Sequence, residues 1–392
     1  MARAAKRAEV GLVLSGGGAR GAYQVGVLKA AAEICGPRNP FGIVTGISVG
    51  AINTLALVSR PRDFQGAVAR LEELWRGLHC SSIFRTDMQA VMARLAGWAR
   101  YVAFGRLGVP PPDSLLDNAP LREFLEREVD FAAMREAIAA GLLRAVAVTA
   151  SSYRTGQAVT FYESGGRVPH WSRKRREGRE EALTIDHVMA STALPFVFPA
   201  QRLGAIYYGD GALRQTSPLS PAIHLGARRL FVIAGRDGQI DAPPPEDSEP
   251  DYPSTGVIGG HLLDILFNDH LDTDLERLER INATLARMSP AERRAVPLKP
   301  TGVVTVRPSQ DIREITARHV RAMPVTVRML VRAVGAWRPP YVLPSYLMFE
   351  PDYVGELIDL GYRDAMAQAG QIRGFLAAAE LEAGPASERV GD

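Results

Sequence analysis

The sequence predicts an α/β protein built on a central, mostly parallel sheet. An apolar run at residues 10–14 is followed by a helical stretch at 21–34. A second apolar run at 41–45 is followed by a helical stretch at 51–58. Strand, helix, strand, helix at this spacing is the pattern of βαβ units, whose crossovers make parallel neighbours. Further apolar runs at 144–149, 158–162, 205–208 and 229–234 supply more strands.

Each element has a local reason. Residues 10–14 (Val-Gly-Leu-Val-Leu) carry no polar side chain and are bounded by Ser15 and a glycine run, as a buried strand would be. The first helix is stopped by Gly36 and Pro37. Residues 241–253 are acidic, proline-rich and without periodicity. They predict a linker over 241–256, between an α/β portion at 10–240 and a mainly helical C-terminal region at 257–383. A strand candidate at 302–306 lies beyond that break, and 384–392 reads as a flexible tail.

Composition narrows the function. The chain has 392 residues, 46% of them hydrophobic and 23% charged, enough to bury a substantial core. A net charge of +3 is too small to argue for nucleic-acid binding. Cys35 and Cys80 cannot make a disulfide framework and are wrongly spaced for a zinc site, which fits a reducing compartment. The first nine residues are charged and lead straight into a strand, unlike a secretion signal. No window approaches 18 uncharged apolar residues. A cytoplasmic protein is expected, with any membrane contact peripheral.

Two glycine segments carry the chemistry. Gly16-Gly17-Gly18-Ala19-Arg20-Gly21 follows the first strand and opens the first helix, offering a row of backbone N–H groups to an anion. Gly46-Ile47-Ser48-Val49-Gly50 has the G-x-S-x-G form of a nucleophile elbow. There, Gly46 and Gly50 spare a tight turn from steric collision, and the following helix points its N-terminus at the serine. The first segment also satisfies G-x-G-x-x-G, but the second strand ends in Thr45-Gly46-Ile47-Ser48 without the carboxylate a ribose needs. No Gly-Lys-Ser/Thr follows either, which removes a P-loop. What remains is an N–H nest with Arg20 as an added cation, suited to an oxyanion or a lipid phosphate.

A serine nucleophile needs a base. None of the seven histidines (His79, His170, His187, His224, His261, His270 and His319) stands in a catalytic context. Asp210, in Tyr207-Tyr208-Gly209-Asp210-Gly211-Ala212, ends an aromatic strand between glycines and is the better candidate. The same tripeptide is also compatible with a plain Asp-Gly turn.

Together these segments resemble the patatin-like phospholipase family: its G-G-G-x-R/K-G segment, its G-x-S-x-G elbow and its D-G-G/A segment occur in that order. Residues 190–199 (Ala-Ser-Thr-Ala-Leu-Pro-Phe-Val-Phe-Pro) are similar to the family's helix-to-loop block before the aspartate. The resemblance covers residues 10–234 and implies a three-layer fold with a helical C-terminal region. It implies Ser48 as nucleophile, Asp210 as proton acceptor, and Gly16, Gly17, Gly18, Ala19 and Arg20 as the oxyanion hole. Gly21, Gly46, Gly50 and Gly211 would support the motifs. Ala212 stands where many members have a second glycine.

The implied activity is calcium-independent hydrolysis of glycerophospholipid or other acyl esters, as in lipid breakdown, with no cofactor and no metal. A neutral-lipid esterase or transacylase with the same dyad, or a catalytically silent lipid-binding protein, are the alternatives. Contact with a lipid surface would fall to one of two apolar stripes, or to the basic stretch at 173–179. The first stripe is Phe84, Met88, Val91, Leu95, Trp98 and Val102; the second is Val320, Met323, Val327, Leu330, Val334 and Trp337. Either stripe could equally pack on the sheet.

Overall fold

The computed structural model describes residues 10–166, 168–238 and 252–383. Most of the expected linker, and the whole of the expected tail at 384–392, lie outside the described residues. Ten strands form one sheet: β1 (Val10–Leu14), β2 (Ile43–Ile47), β3 (Ala145–Ser152), β4 (Ala158–Ser164), β5 (Ser172–Arg173), β6 (Arg176–Glu180), β7 (Gln201–Leu203), β8 (Ile206–Asp210), β9 (Arg229–Ile233) and β10 (Gly302–Val306). Their order is β10-β9-β1-β2-β3-β4-β6-β5, with β8 on β3 and β7 on β8. The five strands from β10 to β3 are mutually parallel, and β4 runs antiparallel to β3. The predicted α/β class with a mostly parallel sheet is the observed one.

Two helices place the site. α1 (Gly21–Cys35) follows β1, and α2 (Val49–Val58) follows β2. α1 is buried along most of its length, so it needs apolar cover on the side away from the sheet as well. The helix Pro351–Ala367 supplies that cover. Gly26 leaves no room for a side chain beneath the Ile358 carbonyl, and Gly361 none beneath that of Tyr23.

This packing joins the C-terminal region to the α/β portion. The C-terminal region contributes Ile315, Val327, Leu357 and Ile358 to the same core as Leu12, Val25 and Val44. Its strand β10 completes the sheet edge beside β9, with Val304 opposite Phe231. The proline-rich stretch marks a change of composition and not the boundary of a separate core.

The basic stretch at 173–179 is also not a loop. It forms the β5–β6 hairpin, and β6 pairs in parallel with β4. Periodicity missed it because its apolar cover comes from Trp171, whose ring lies over Gly178 and stacks on Tyr162. Arg179 is held by Glu177 at 2.6 Å.

The two amphipathic stripes part company. Val320, Met323, Val327 and Leu330 are buried, and Val334 and Trp337 pack against the core. That stripe covers the body of the protein, the packing role that the sequence also allowed for it. On the first stripe Phe84 and Val91 are buried, whereas Met88 and Val102 remain exposed. Among the described residues no helix is long and apolar enough to cross a membrane.

Candidate active site

β2 runs into α2 through Ser48, which is held at φ 55°, ψ −125°. A non-glycine residue at positive φ is strained, by about 1–3 kcal/mol. The strain persists because the flanking contacts allow no alternative. A Cβ on Gly46 would overlap the Gly50 carbonyl, and one on Gly50 would overlap the carbonyls of Leu14 and Ser15. Only glycine at both ends lets the turn close against β1, which is the elbow the sequence predicts.

The Ser48 N–H donates to Ser191 Oγ at 2.9 Å, and Ser191 Oγ donates to the Thr149 carbonyl at 2.7 Å. Ser191 thus ties the elbow to the end of β3. Sequence reasoning missed this role. The available signal was a Ser-Thr pair closing the helix that packs on the sheet.

β3 also carries the aspartate. Ile47 pairs with Thr149 and Asp210 with Ala150, so the residue before the nucleophile and the candidate base occupy consecutive rungs of one strand. β4 occupies the opposite edge at Ala150, so β8 continues the side that β2 vacates when it turns into Ser48. The Asp210 N–H donates to the Ala193 carbonyl at 2.8 Å, so the same helix-to-loop block holds both partners.

Asp210 is 1% exposed and Ser48 6%. Burial pushes the Asp210 carboxyl up to about 7, opposed by hydrogen bonding to Ser48 and to the Ala212 N–H. Oδ1 accepts from that N–H at 2.9 Å, while Oδ2 is buried without a partner in ordinary hydrogen-bond geometry. The Ser48 hydroxyl is therefore a neighbour of the carboxyl across a long or poorly aligned contact, as is common in unliganded catalytic pairs. Ala212 lies in the 3₁₀ turn Gly211–Leu213 and is not among the residues at positive φ. Alanine therefore meets no backbone strain at this position.

The glycine segment lies beside the serine. A Cβ built on Gly16 would fall 3.3 Å from Ser48 Cβ. Gly17 and Gly18 take φ of 151° and 54°, values open to glycine, and lead into a 3₁₀ turn, Gly18–Arg20. The Arg20 N–H closes that turn onto the Gly17 carbonyl at 3.1 Å. The N–H groups of Gly17, Gly18 and Ala19, at the start of the turn, have no intrahelical acceptor.

Arg20 itself departs from the expectation. Its guanidinium is 3% exposed and spent on Asp264 (3.1 Å) and on Ser345 Oγ (2.9 and 2.7 Å), and its N–H closes the turn. It is a structural clamp here and not a free cation for an oxyanion or phosphate. The sequence could not show this, because the partners lie 244 and 325 positions away.

Ile47 and Ala212, close in sequence to the pair, and Leu194 share one buried apolar cluster with Leu263, Phe267 and Tyr346 from the C-terminal region. Among the described residues, no group of three or more His, Cys, Asp or Glu side chains is arranged to hold a metal. Four histidines are engaged elsewhere: His79 bonds Glu350, His187 bonds Glu181 and Thr184, His224 stacks on Trp171, and His319 bonds Glu356.

The family model for patatin-like phospholipases matches residues 12–223, more than half of the chain. The chain belongs to the patatin-like phospholipase family. The matched region of this patatin-like protein contains the glycine segment, the elbow and Asp210, and ends before the helices that cover them. Its fold is similar to that of VipD from Legionella pneumophila (13% identity, 92% of this chain and 66% of that one, TM-score 0.35). It is also similar to human GIVD cytosolic phospholipase A2 (13% identity, 96% and 61%, TM-score 0.48). The latter is also known in complex with methyl gamma-linolenyl fluorophosphonate (14% identity, 95% and 60%, TM-score 0.45). The chain thus spans between three fifths and two thirds of the length of these structures. No curated protein matches this sequence.

Proposed function

We propose that this patatin-like protein is a serine acyl hydrolase that cleaves carboxylic esters of glycerolipids, phospholipids included. The observation that carries the reading is the strained Ser48 beside the buried Asp210 carboxyl, with the glycine turn that begins at Gly16 next to it. The apolar cluster of Ile47, Leu194, Leu263 and Phe267 next to the pair suits an acyl chain better than a polar substrate.

In this reading the ionised Asp210 takes the Ser48 hydroxyl proton as Oγ bonds to the ester carbonyl carbon. The carbonyl π electrons move onto oxygen, where the N–H groups of Gly17, Gly18 and Ala19 stabilise them. The tetrahedral centre collapses, the C–O bond to the alcohol breaks, and protonated Asp210 returns its proton to the leaving oxygen. Water then attacks the acyl-enzyme and gives a proton to Asp210. Collapse releases the fatty acid and restores the Ser48 hydroxyl. One carboxyl at about 7 can both accept and donate near neutral pH.

The test is fatty-acid release from phosphatidylcholine vesicles and from a soluble short-chain ester. Ser48→Ala and Asp210→Asn should each abolish release while keeping the far-UV spectrum and a cooperative melt. Full activity in either folded variant contradicts the dyad. A fold that binds vesicles but hydrolyses neither substrate favours the silent lipid-binding alternative.

A further inference from the structure

The segments that close over the nest come from beyond the region the family model matches. The Tyr346 carbonyl sits so close above Gly18 that no side chain fits there, and the Phe267 ring lies against Gly16 in the same way. The Arg20 guanidinium lies 4.0 Å from the centre of the Tyr346 ring while it bonds Asp264 and Ser345. Asp264 ends the helix Thr255–Asp264 and is followed by the π-helical turn Ile265–Asp269. Asp264, Phe267 and Asn268 stand at i, i+3 and i+4 and so share a face. The Tyr346 hydroxyl donates to Asp264 Oδ1 at 2.6 Å, and Asn268 Nδ2 donates to the Asp264 carbonyl at 3.1 Å.

A buried ion pair is a poor means of adding stability, because desolvating two charges offsets most of their attraction. Here its two ends differ in kind. One is a helix terminus in the C-terminal region; the other is the last residue of the turn that follows Gly16, where a built Cβ would fall 3.3 Å from Ser48 Cβ. The direction of the turn's first N–H groups depends on how it is held: the Arg20 N–H closes it onto the Gly17 carbonyl, and the Arg20 side chain anchors its last residue to Asp264 and Ser345.

We infer that Asp264 is a positioning residue for the oxyanion turn: by fixing Arg20 it sets the direction of the Gly17, Gly18 and Ala19 N–H groups toward Ser48. The inference rests on the reading that these groups receive the oxyanion. It makes the C-terminal region part of the catalytic apparatus, although Asp264 touches no reacting atom. A displacement of the donors near 1 Å costs about a hundredfold in rate. The loss should fall on the transition state and leave ground-state binding alone.

The experiment compares wild type, Asp264→Asn and Ser345→Ala on a soluble ester, and measures inhibition by an alkyl trifluoromethyl ketone. That ketone binds as a tetrahedral oxyanion; the matching alkyl amide serves as a ground-state control. For Asp264→Asn the expected result is a kcat lowered about tenfold to a hundredfold with KM within about twofold. Ketone inhibition should weaken by the same factor while amide inhibition is unchanged. Should Asp264→Asn fail to fold, Ser345→Ala carries the test, because it removes one acceptor of the Arg20 guanidinium with little loss of volume. A folded variant with unaltered kcat and ketone inhibition overturns the inference. Activity surviving in Ser48→Ala would instead overturn the hydrolase reading on which it rests.

Discussion

Ile47 and Asp210 pair with consecutive residues of β3, Thr149 and Ala150. Strand pairing therefore aligns the elbow serine with the carboxyl that faces it, without any contact between their own motifs in sequence. Ser191 bonds the Ser48 N–H and Ala193 accepts from the Asp210 N–H, which fixes both partners to one block.

Activity should rise with pH through about 7. Burial, the dominant cause, raises the Asp210 carboxyl to that value, and only its ionised form can accept the Ser48 proton. Measured on a soluble ester, kcat/KM should increase between about pH 5.5 and about pH 8.5 with a single inflection. A flat profile there would remove Asp210 as the base.

Stability should show the opposite trend. The folded-state value lies above the ordinary 3.8, so folded Asp210 binds its proton more tightly than the unfolded chain does. Its contribution is full below the unfolded value and is lost as pH rises through about 7. Asp210→Asn should therefore melt above wild type at about pH 8 and converge with it toward about pH 4. Identical Tm differences at both values would contradict the buried, partly protonated carboxyl.

Gly50→Ala and Gly259→Ala make a matched pair of glycine tests. At Gly50 a Cβ overlaps backbone carbonyls of β1 and its following loop, whereas at Gly259 nothing lies within 4 Å. Gly50→Ala should cost about 3 kcal/mol or more and abolish activity. Gly259→Ala, inside the helix Thr255–Asp264, should gain about 0.5–1 kcal/mol in a denaturant titration. Equal effects would mean that the elbow is not held by close approach to β1.

Val327→Asp and Val102→Asp separate the two apolar stripes. Val327 is 1% exposed and Val102 80%. A charge at the first position should prevent folding or lower stability by several kcal/mol, about 3 or more. The second should leave Tm unchanged within error. Tolerance of Val327→Asp would contradict the burial of its helix.

Much of this was legible in the sequence. The strands at 10–14 and 302–306 stand at their expected bounds, because short apolar runs between turn residues have few other uses. The elbow at Gly46, Ser48 and Gly50 was legible because a strained turn admits few residue types. What stayed hidden depends on distant partners. Arg20 read as a free cation until Asp264 and Ser345 were seen to hold it. The hairpin at 172–180 carries its apolar cover on Trp171, outside the strand that needs it. The proline-rich stretch suggested a domain boundary because composition does not reveal that α1 needs cover on a second side.

The central claim is that Ser48 is a nucleophile activated at this site. It is tested most directly by reaction with an alkyl fluorophosphonate, read by intact mass and peptide mapping. One adduct on Ser48 is expected, formed faster as pH rises through about 7, slowed strongly in Asp210→Asn and absent in Ser48→Ala. No adduct at Ser48, or labelling undiminished by Ser48→Ala, would contradict the account.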